Sequence, residues 1–231
     1  MIDKLLILGT KGMAKVAIDA IEESEMYSEI AFLDNYPDSD YLFSYPIIGK
    51  CDDLEKFSQS YSHAFVCVAD NRTRMLFLQK LIAAGYHIPN IVHPRACVSR
   101  LATLGRGVFV NALAVIQPDS IIGNGCIINT GAVIEHDNKL GEYVNISPNA
   151  STTGYVKIDD YTFLGACSCV INNVHIGENV LVAAGATVIT DIPDNVLVAG
   201  CPAIIKKSID VLRYKKQQSY IINDSESKHT D

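Results

Sequence analysis

The sequence predicts two architectures in series, a small α/β domain and then a parallel β-helix with three short strands per coil. Two observations predict it. Strand-like and helix-like segments alternate through residues 1–92, and an unbroken six-residue repeat runs from residue 101 to 190 of the 231.

In the first part KLLILG reads as a buried strand, KVAIDAIEES as an amphipathic helix and EIAFLDN as a second strand. HAFVCVAD is a third strand and NRTRMLFLQKLIAAG a second helix. Such alternation builds a layer of parallel strands, so residues 1–92 are expected to form a small Rossmann-like sheet. Gly9-Thr10-Lys11-Gly12 is its first strand–helix turn. Amides at a helix N-terminus attract anions, and glycines let an anion approach. Asp34 and Asn35 close the second strand, where an α/β layer places a polar residue against its ligand. The spacing is GxxG and not GxGxxG, and no second nucleotide-binding half follows. A plain tight turn and a site for a nucleotide-linked ligand both stay open.

From residue 101 the chain divides into fifteen blocks, LATLGR to GATVIT. Their fourth positions are Leu104, Val110, Ile116, Ile122, Ile128, Ile134, Leu140, Ile146, Thr152, Ile158, Leu164, Val170, Ile176, Val182 and Val188. Only Thr152 departs from Ile, Leu or Val. Second positions favour small or β-branched residues, as in Ala102, Val108, Ala114, Ser120, Cys126 and Ala132. A period of six is neither that of a helix nor strict alternation. It fits short strands joined by tight turns, with fourth-position aliphatics pointing into a narrow prism and coils stacked about 4.8 Å apart. Fifteen blocks make five coils of eighteen residues. HPRACVS leads into this solenoid, assigned to residues 93–207. AGCPAIIKKS is expected to be a turn containing Pro202. A short helix over IDVLRYKKQ and a polar tail then complete residues 208–231.

A net charge of −7 argues against nucleic acid as a partner, since phosphates want a basic face. No stretch approaches the ~18 apolar residues that cross a bilayer. The N-terminus lacks a small-residue cleavage site and reads as a first strand, which implies a cytoplasmic protein. Seven cysteines without CxxC spacing suggest reduced, buried thiols. Cys167 and Cys169 fall two apart on an expected strand, facing the same way as packing residues.

The block GAVIEHDNKLGE places Glu135, His136 and Asp137 at a corner of the prism. An imidazole beside a carboxylate suits a general base, because the acid fixes the tautomer. A lone surface histidine is usually inert, so spacing alone leaves base and bystander open. Coil arithmetic stacks Gly154 beside His136 and Ala166 beside Ala184. A glycine there leaves room for a reacting group and exposes an amide that could polarise a carbonyl. A column of small residues makes a groove for a thin flexible arm. His136 and His175 lie 39 apart, do not stack, and so predict no metal site.

The stretches ILGTKGMAKVAIDAI, FLDN, IVHPRACVS, NTGAVIEHD and VAGCPAIIKK resemble a known family. It is that of the bacterial sugar-nucleotide N-acetyltransferases of the bacillosamine and perosamine type, grouped with the sialic-acid O-acetyltransferases. The likeness covers residues 1 to about 207, and NTGAVIEHD is its specific part. The repeat alone would also suit serine, maltose or lipid-A pathway acyltransferases. The resemblance implies a left-handed parallel β-helix that trimerises, with acetyl-CoA between neighbouring solenoids and no metal. It implies that His136 is the base, Asp137 its orienting acid, and Asn129 a positioner of the amine or a water. Gly154, Ala166 and Ala184 would line the acetyl-CoA arm, with Gly200 and Pro202 near the adenine and Lys206 and Lys207 near its phosphates. Gly9, Lys11, Gly12, Asp34 and Asn35 would touch a nucleotide-linked 4-amino-4,6-dideoxy sugar, with UDP preferred to GDP or dTDP. Two departures stand out. Met13 follows Gly12 where many relatives have histidine, and Asn145 replaces a second histidine nine residues past the first. Acetylation of a sugar hydroxyl is the alternative chemistry, and a non-catalytic nucleotide-sugar-binding scaffold the alternative class.

Overall fold

A computed structural model describes residues 3–209. The N-terminal domain comprises β1 (Asp3–Leu8), α1 (Gly12–Ser24), β2 (Tyr27–Leu33), β3 (Tyr41–Leu42), β4 (Tyr45–Gly49), β5 (His63–Val66) and α2 (Asn71–Ala83). The sheet order is β3-β4-β2-β1-β5, with β4, β2, β1 and β5 parallel. β1 is central, and Leu5, Leu6, Ile7 and Leu8 are fully buried, which is why its sequence reads as a continuous apolar run. The expected parallel layer is present, with one short strand added at its edge. β3 pairs antiparallel with β4 as a short edge hairpin, and a 3₁₀ turn over Cys51–Phe57 follows. Strands of two and five residues carry too little periodicity to be read from sequence.

From Ile91 onward the chain winds as a prism of three parallel sheets of eight, six and five strands, here the first, second and third faces. Partners are eighteen residues apart, as in Ile127↔Asn145, Val133↔Ser151 and Lys139↔Lys157. Fourth-position side chains from Val110 to Val188 are all buried at 3% exposure or less, and second-position residues fill the spaces between them. Thr152 is buried too, matching valine in shape, and its hydroxyl has no partner. The prism starts earlier than residue 101, because Ile91–Val92 pairs with Phe109–Val110 and Cys97–Val98 with Val115–Ile116. At the other end Leu181 pairs with Leu197, sixteen residues on, so the period breaks there.

AGCPAIIKKS is only partly a turn. Val196–Ala199 and Ile204–Ser208 form an antiparallel pair closing the first face around a Gly200–Ala203 turn with a cis Cys201–Pro202 peptide. The helix and tail expected beyond residue 209 lie outside the described residues. All seven cysteines are free, but only Cys51, Cys67 and Cys126 are buried. Cys167 is exposed at a turn with φ +58°, not on a strand beside Cys169, because a hexapeptide corner and not a continuous strand connects successive faces.

The two parts are docked closely. α1 and Phe65 pack against Ile91, Phe109 and Ile127 of the first face. The fully buried Arg74 of α2 reaches across, its Nε donating to Gly125 O (2.6 Å) and Nη2 to Tyr143 O (3.1 Å). Its Nη1 donates to Val68 and Ala69 carbonyls, and Nη2 also to Asn71 Oδ1. Arg74 thus ties the α/β domain to two successive coils, which fixes the cleft between α1 and the first face.

Candidate active site

Each coil assigns its second and fourth positions to the core, so polar chemistry collects at the corners. His136 and Asp137 occupy the corner between the second and third faces. His136 Nδ1 lies 2.9 Å from Asp137 Oδ2, and both side chains reach solvent. With Asp137 accepting from Nδ1–H, the lone pair of the neutral ring is on Nε2. Nε2 has no hydrogen-bond partner among the described residues. Gly154 lies directly against the ring, where a Cβ would come within 2.6 Å of His136 Cε1 and 2.8 Å of Nε2. The eighteen-residue stacking therefore places these two as the sequence implies.

Two neighbours of His136 escaped the sequence reading. The Tyr155 ring meets the imidazole edge to face, with centroids 5.3 Å apart and planes at 87°. Asn138 is fully buried below the corner, its Nδ2 donating to the carbonyls of Glu135 (2.6 Å), Thr153 (2.8 Å) and His136 (3.2 Å). A legible signal existed for Asn138, since it is a polar residue in a second position.

Asn129 sits one corner earlier, between the first and second faces. Its Oδ1 accepts from Asn111 Nδ2 and from the Thr130 amide. With Asn111, Asn145, Phe109 and Ile127 it lines a cleft of ≈ 240 Å³ whose far wall is Gly12, Met13, Val16 and Ala69. Asn145 is 95% buried in an otherwise apolar column of the first face, between Ile127 and Phe163, and its Oδ1 is unpaired.

Ala166 and Ala184 stack on the same corner as Asn129, linked by Gly185 N–H to Ala166 O. The column ends at the turn holding Gly200 and Pro202, where Thr187 N–H donates to Gly200 O. These four residues therefore form one groove edge, a full prism side away from His136 and Gly154. Lys206 and Lys207 are exposed on the closing strand Ile204–Ser208.

In the first α/β turn Gly9 has φ +97°, and a Cβ there would strike Cys67 O at 2.8 Å, so no other residue fits. Asp34 Oδ2 accepts from the Thr10 amide and hydroxyl, and Oδ1 from the Tyr36 amide. Asn35 Oδ1 accepts from Cys51 N–H. Asp34 and Asn35 thus build the turn, while Lys11 pairs with Asp38 at 2.7 Å on the surface. α1 begins at Gly12 with no side-chain cap, leaving its first amides at the mouth of the cleft.

Asp19, Glu23 and His93 form a further cluster on α1 and the first coil. His93 Nδ1 accepts from the Arg95 amide, so the neutral ring carries its proton on Nε2, facing Asp19 at 3.6 Å. Arg95 pairs with Glu23 at 2.9 Å. These contacts make the cluster a clamp between α1 and the solenoid. No helix of the described residues is long and apolar enough to cross a membrane.

A cleft at the uncapped start of α1, a hexapeptide solenoid and an imidazole–carboxylate corner define a hexapeptide-repeat acyltransferase. Family models agree in both parts: the PglD N-terminal domain matches residues 4–81, and the bacterial transferase hexapeptide, six repeats, matches residues 102–136. Perosamine N-acetyltransferase from Caulobacter crescentus, solved with CoA and GDP-perosamine, is 37% identical over 90% of this chain and 99% of that one, with TM-score 0.85. The acetyltransferase domain of PglB from Neisseria gonorrhoeae, solved with acetyl coenzyme A, is 34% identical over 88% and 98%, with TM-score 0.85. The 2,3,4,5-tetrahydropyridine-2,6-dicarboxylate N-acetyltransferase of Clostridium perfringens is 40% identical over 67 residues. That match spans 29% of this chain and only 28% of the curated relative. The chain belongs to the PglD-type sugar N-acetyltransferases with hexapeptide repeats.

Proposed function

We propose that the protein transfers the acetyl group of acetyl-CoA to the amino group of a nucleotide-linked 4-amino-4,6-dideoxy sugar, with His136 as general base. The observation that carries this reading is the His136 corner, with Nδ1 on Asp137 and Nε2 unpartnered beside a residue without a side chain. The amine lone pair attacks the thioester carbonyl carbon, and Nε2 takes the proton the amine loses. The carbon–sulfur bond then breaks, the sulfur takes that proton from Nε2, and CoA leaves as the thiol with the imidazole restored. The Gly154 amide is the candidate donor to the oxyanion. Asp137 steadies the imidazolium while it lasts.

The diphosphate is assigned to the uncapped start of α1 at Gly12 and Lys11, on the turn that Gly9, Asp34 and Asn35 build. Asn129 is assigned to positioning the acceptor in the cleft. The acetyl-CoA arm is assigned to Ala166, Ala184, Gly200 and Pro202, with Lys206 and Lys207 for its phosphates. That groove edge and the His136 corner lie on opposite edges of the second face, so a complete site needs the corner of another copy. A homotrimer supplies one cleft per pair of neighbours. Free thiols throughout suit a cytoplasmic enzyme. UDP is the nucleotide carried forward, and GDP is the second reading because the perosamine relative was solved with GDP-perosamine.

The test is CoA release, followed with a thiol reagent, from acetyl-CoA and a panel of UDP-, GDP- and dTDP-linked amino sugars. Release with one amino sugar, lost in His136→Ala, is expected. Release only with hydroxyl acceptors would move the reading to O-acetylation. A folded trimer with no release would indicate a scaffold.

A further inference from the structure

Resting on His136 as the base, we propose that Tyr155 is its positioning residue, holding the imidazole in the orientation that presents Nε2. Asp137 fixes only one nitrogen, which leaves the ring free to swing about the Nδ1–Oδ2 contact. The Tyr155 edge at 5.3 Å and 87° blocks that swing from one side, and the Gly154 backbone supports the ring from another. The backbone is held as well. The His136 carbonyl accepts from both the Tyr155 amide (3.2 Å) and Asn138 Nδ2 (3.2 Å).

The placement of Tyr155 argues for a role. In the single chain it is 57% exposed, so its ring adds little to the core of its own prism. Its φ is +61°, a left-handed conformation that Asn and Asp tolerate and a tyrosine does not favour. The equivalent corner positions in the neighbouring coils hold Asp119, Asp137 and Asn173 with φ of 59°, 61° and 62°. Tyr143 and Tyr161 hold a similar φ at another corner, so what sets Tyr155 apart is a large ring lying against the imidazole of the preceding coil, in a column otherwise given to Asp and Asn. The hydroxyl makes no hydrogen bond among the described residues, so the edge of the ring is the part that acts.

The test uses the full chain, acetyl-CoA and the acceptor found in the nucleotide-sugar panel, comparing wild type with Tyr155→Asn, Tyr155→Phe and His136→Ala. Tyr155→Asn is expected to lower kcat about tenfold, the scale of losing ring orientation, with both KM values within about twofold. Its Tm should hold or rise, since Asn suits the left-handed corner. Tyr155→Phe keeps the ring and should keep kcat. Wild-type kcat in Tyr155→Asn would overturn the inference, as would an equal loss in Tyr155→Phe or a kcat loss matched by a fall in Tm. His136→Ala separates the two readings. Unchanged turnover in that variant removes the base itself, whereas loss there with normal Tyr155→Asn removes only the positioning role.

Discussion

Adding one methyl group at Gly154 tests whether the corner geometry governs the chemistry. An alanine Cβ would stand 2.6, 2.8 and 3.2 Å from His136 Cε1, Nε2 and Nδ1, against an ordinary contact of 3.4–4 Å. The imidazole must therefore move by about 1 Å, a displacement that can lower turnover by ~10²-fold. Gly154 does not hold a left-handed φ, so alanine strains no backbone there. The ring it meets is half exposed and free to move outward, so the fold tolerates the change. The expected result is a roughly 10- to 100-fold fall in kcat, with Tm within about 2–4 °C of wild type. Initial rates of CoA release over a range of acceptor, beside thermal melts, measure both. Unchanged kcat would refute the reasoning, because it would mean that the reacting groups do not meet where Gly154 and His136 touch.

Three further outcomes follow from other parts of the molecule. Arg74→Met leaves the Gly125 and Tyr143 carbonyls without their buried donor and should cost about 3 kcal/mol, measured from urea midpoints. Arg74→Lys, with one ammonium, should recover part of that. Asn145→Leu removes a buried unpaired amide oxygen from an apolar column, so Tm should rise by about 2–4 °C. If that amide meets the acceptor in the cleft, the acceptor KM should rise about tenfold while the acetyl-CoA KM stays constant. Burial pushes the phenols of Tyr45, Tyr61, Tyr86 and Tyr143 up to about 12, with hydrogen bonds to Glu22 and Glu29 adding at Tyr45 and Tyr61. A raised folded pKa contributes stability below the unfolded value near 10, and that contribution is lost as pH rises from about 10 to 12. Urea midpoints should therefore fall across that window, and tyrosinate absorbance should rise together with unfolding.

The prism was legible because each coil repeats one physical requirement. Every fourth-position side chain must fill the same narrow interior, so fifteen blocks repeat one signal, and even Thr152 obeys it by shape. The hairpin at Tyr41–Leu42 and Tyr45–Gly49 was not legible, because it is too short to show a period. Stacking by eighteen located Gly154 against His136, since register in a coil is arithmetic. The same arithmetic could not separate the corners carrying Ala184 and His136 into partners or strangers, because that depends on a second molecule. Asp34 and Asn35 show a different limit. Residue type pointed to a ligand-contacting position, but it could not show the hydrogen bonds to Thr10, Tyr36 and Cys51 that hold the turn in shape. Arg74 was silent in sequence, since an arginine in an amphipathic helix normally faces water, and only the docked coils supply the carbonyls that allow its burial.

Why the chemistry falls at corners follows from how a hexapeptide coil uses its residues. Positions two and four are committed to the interior, and position three forms the flat outer face. The remaining positions turn the chain, with left-handed φ recurring at Asp119, Asp137, Tyr155 and Asn173 down the His136 corner. These turn residues are the ones free to vary without breaking the core, so a base, its acid and its aromatic neighbour can be installed in one or two coils. The same rigidity keeps two corners of one prism from closing on each other. A groove edge of small residues at Ala166 and Ala184 faces outward just as the His136 corner does. Neither encloses a thioester alone. On the proposed reading a rigid prism encloses its site by setting one corner against another copy's, which ties the proposed catalysis to the proposed assembly.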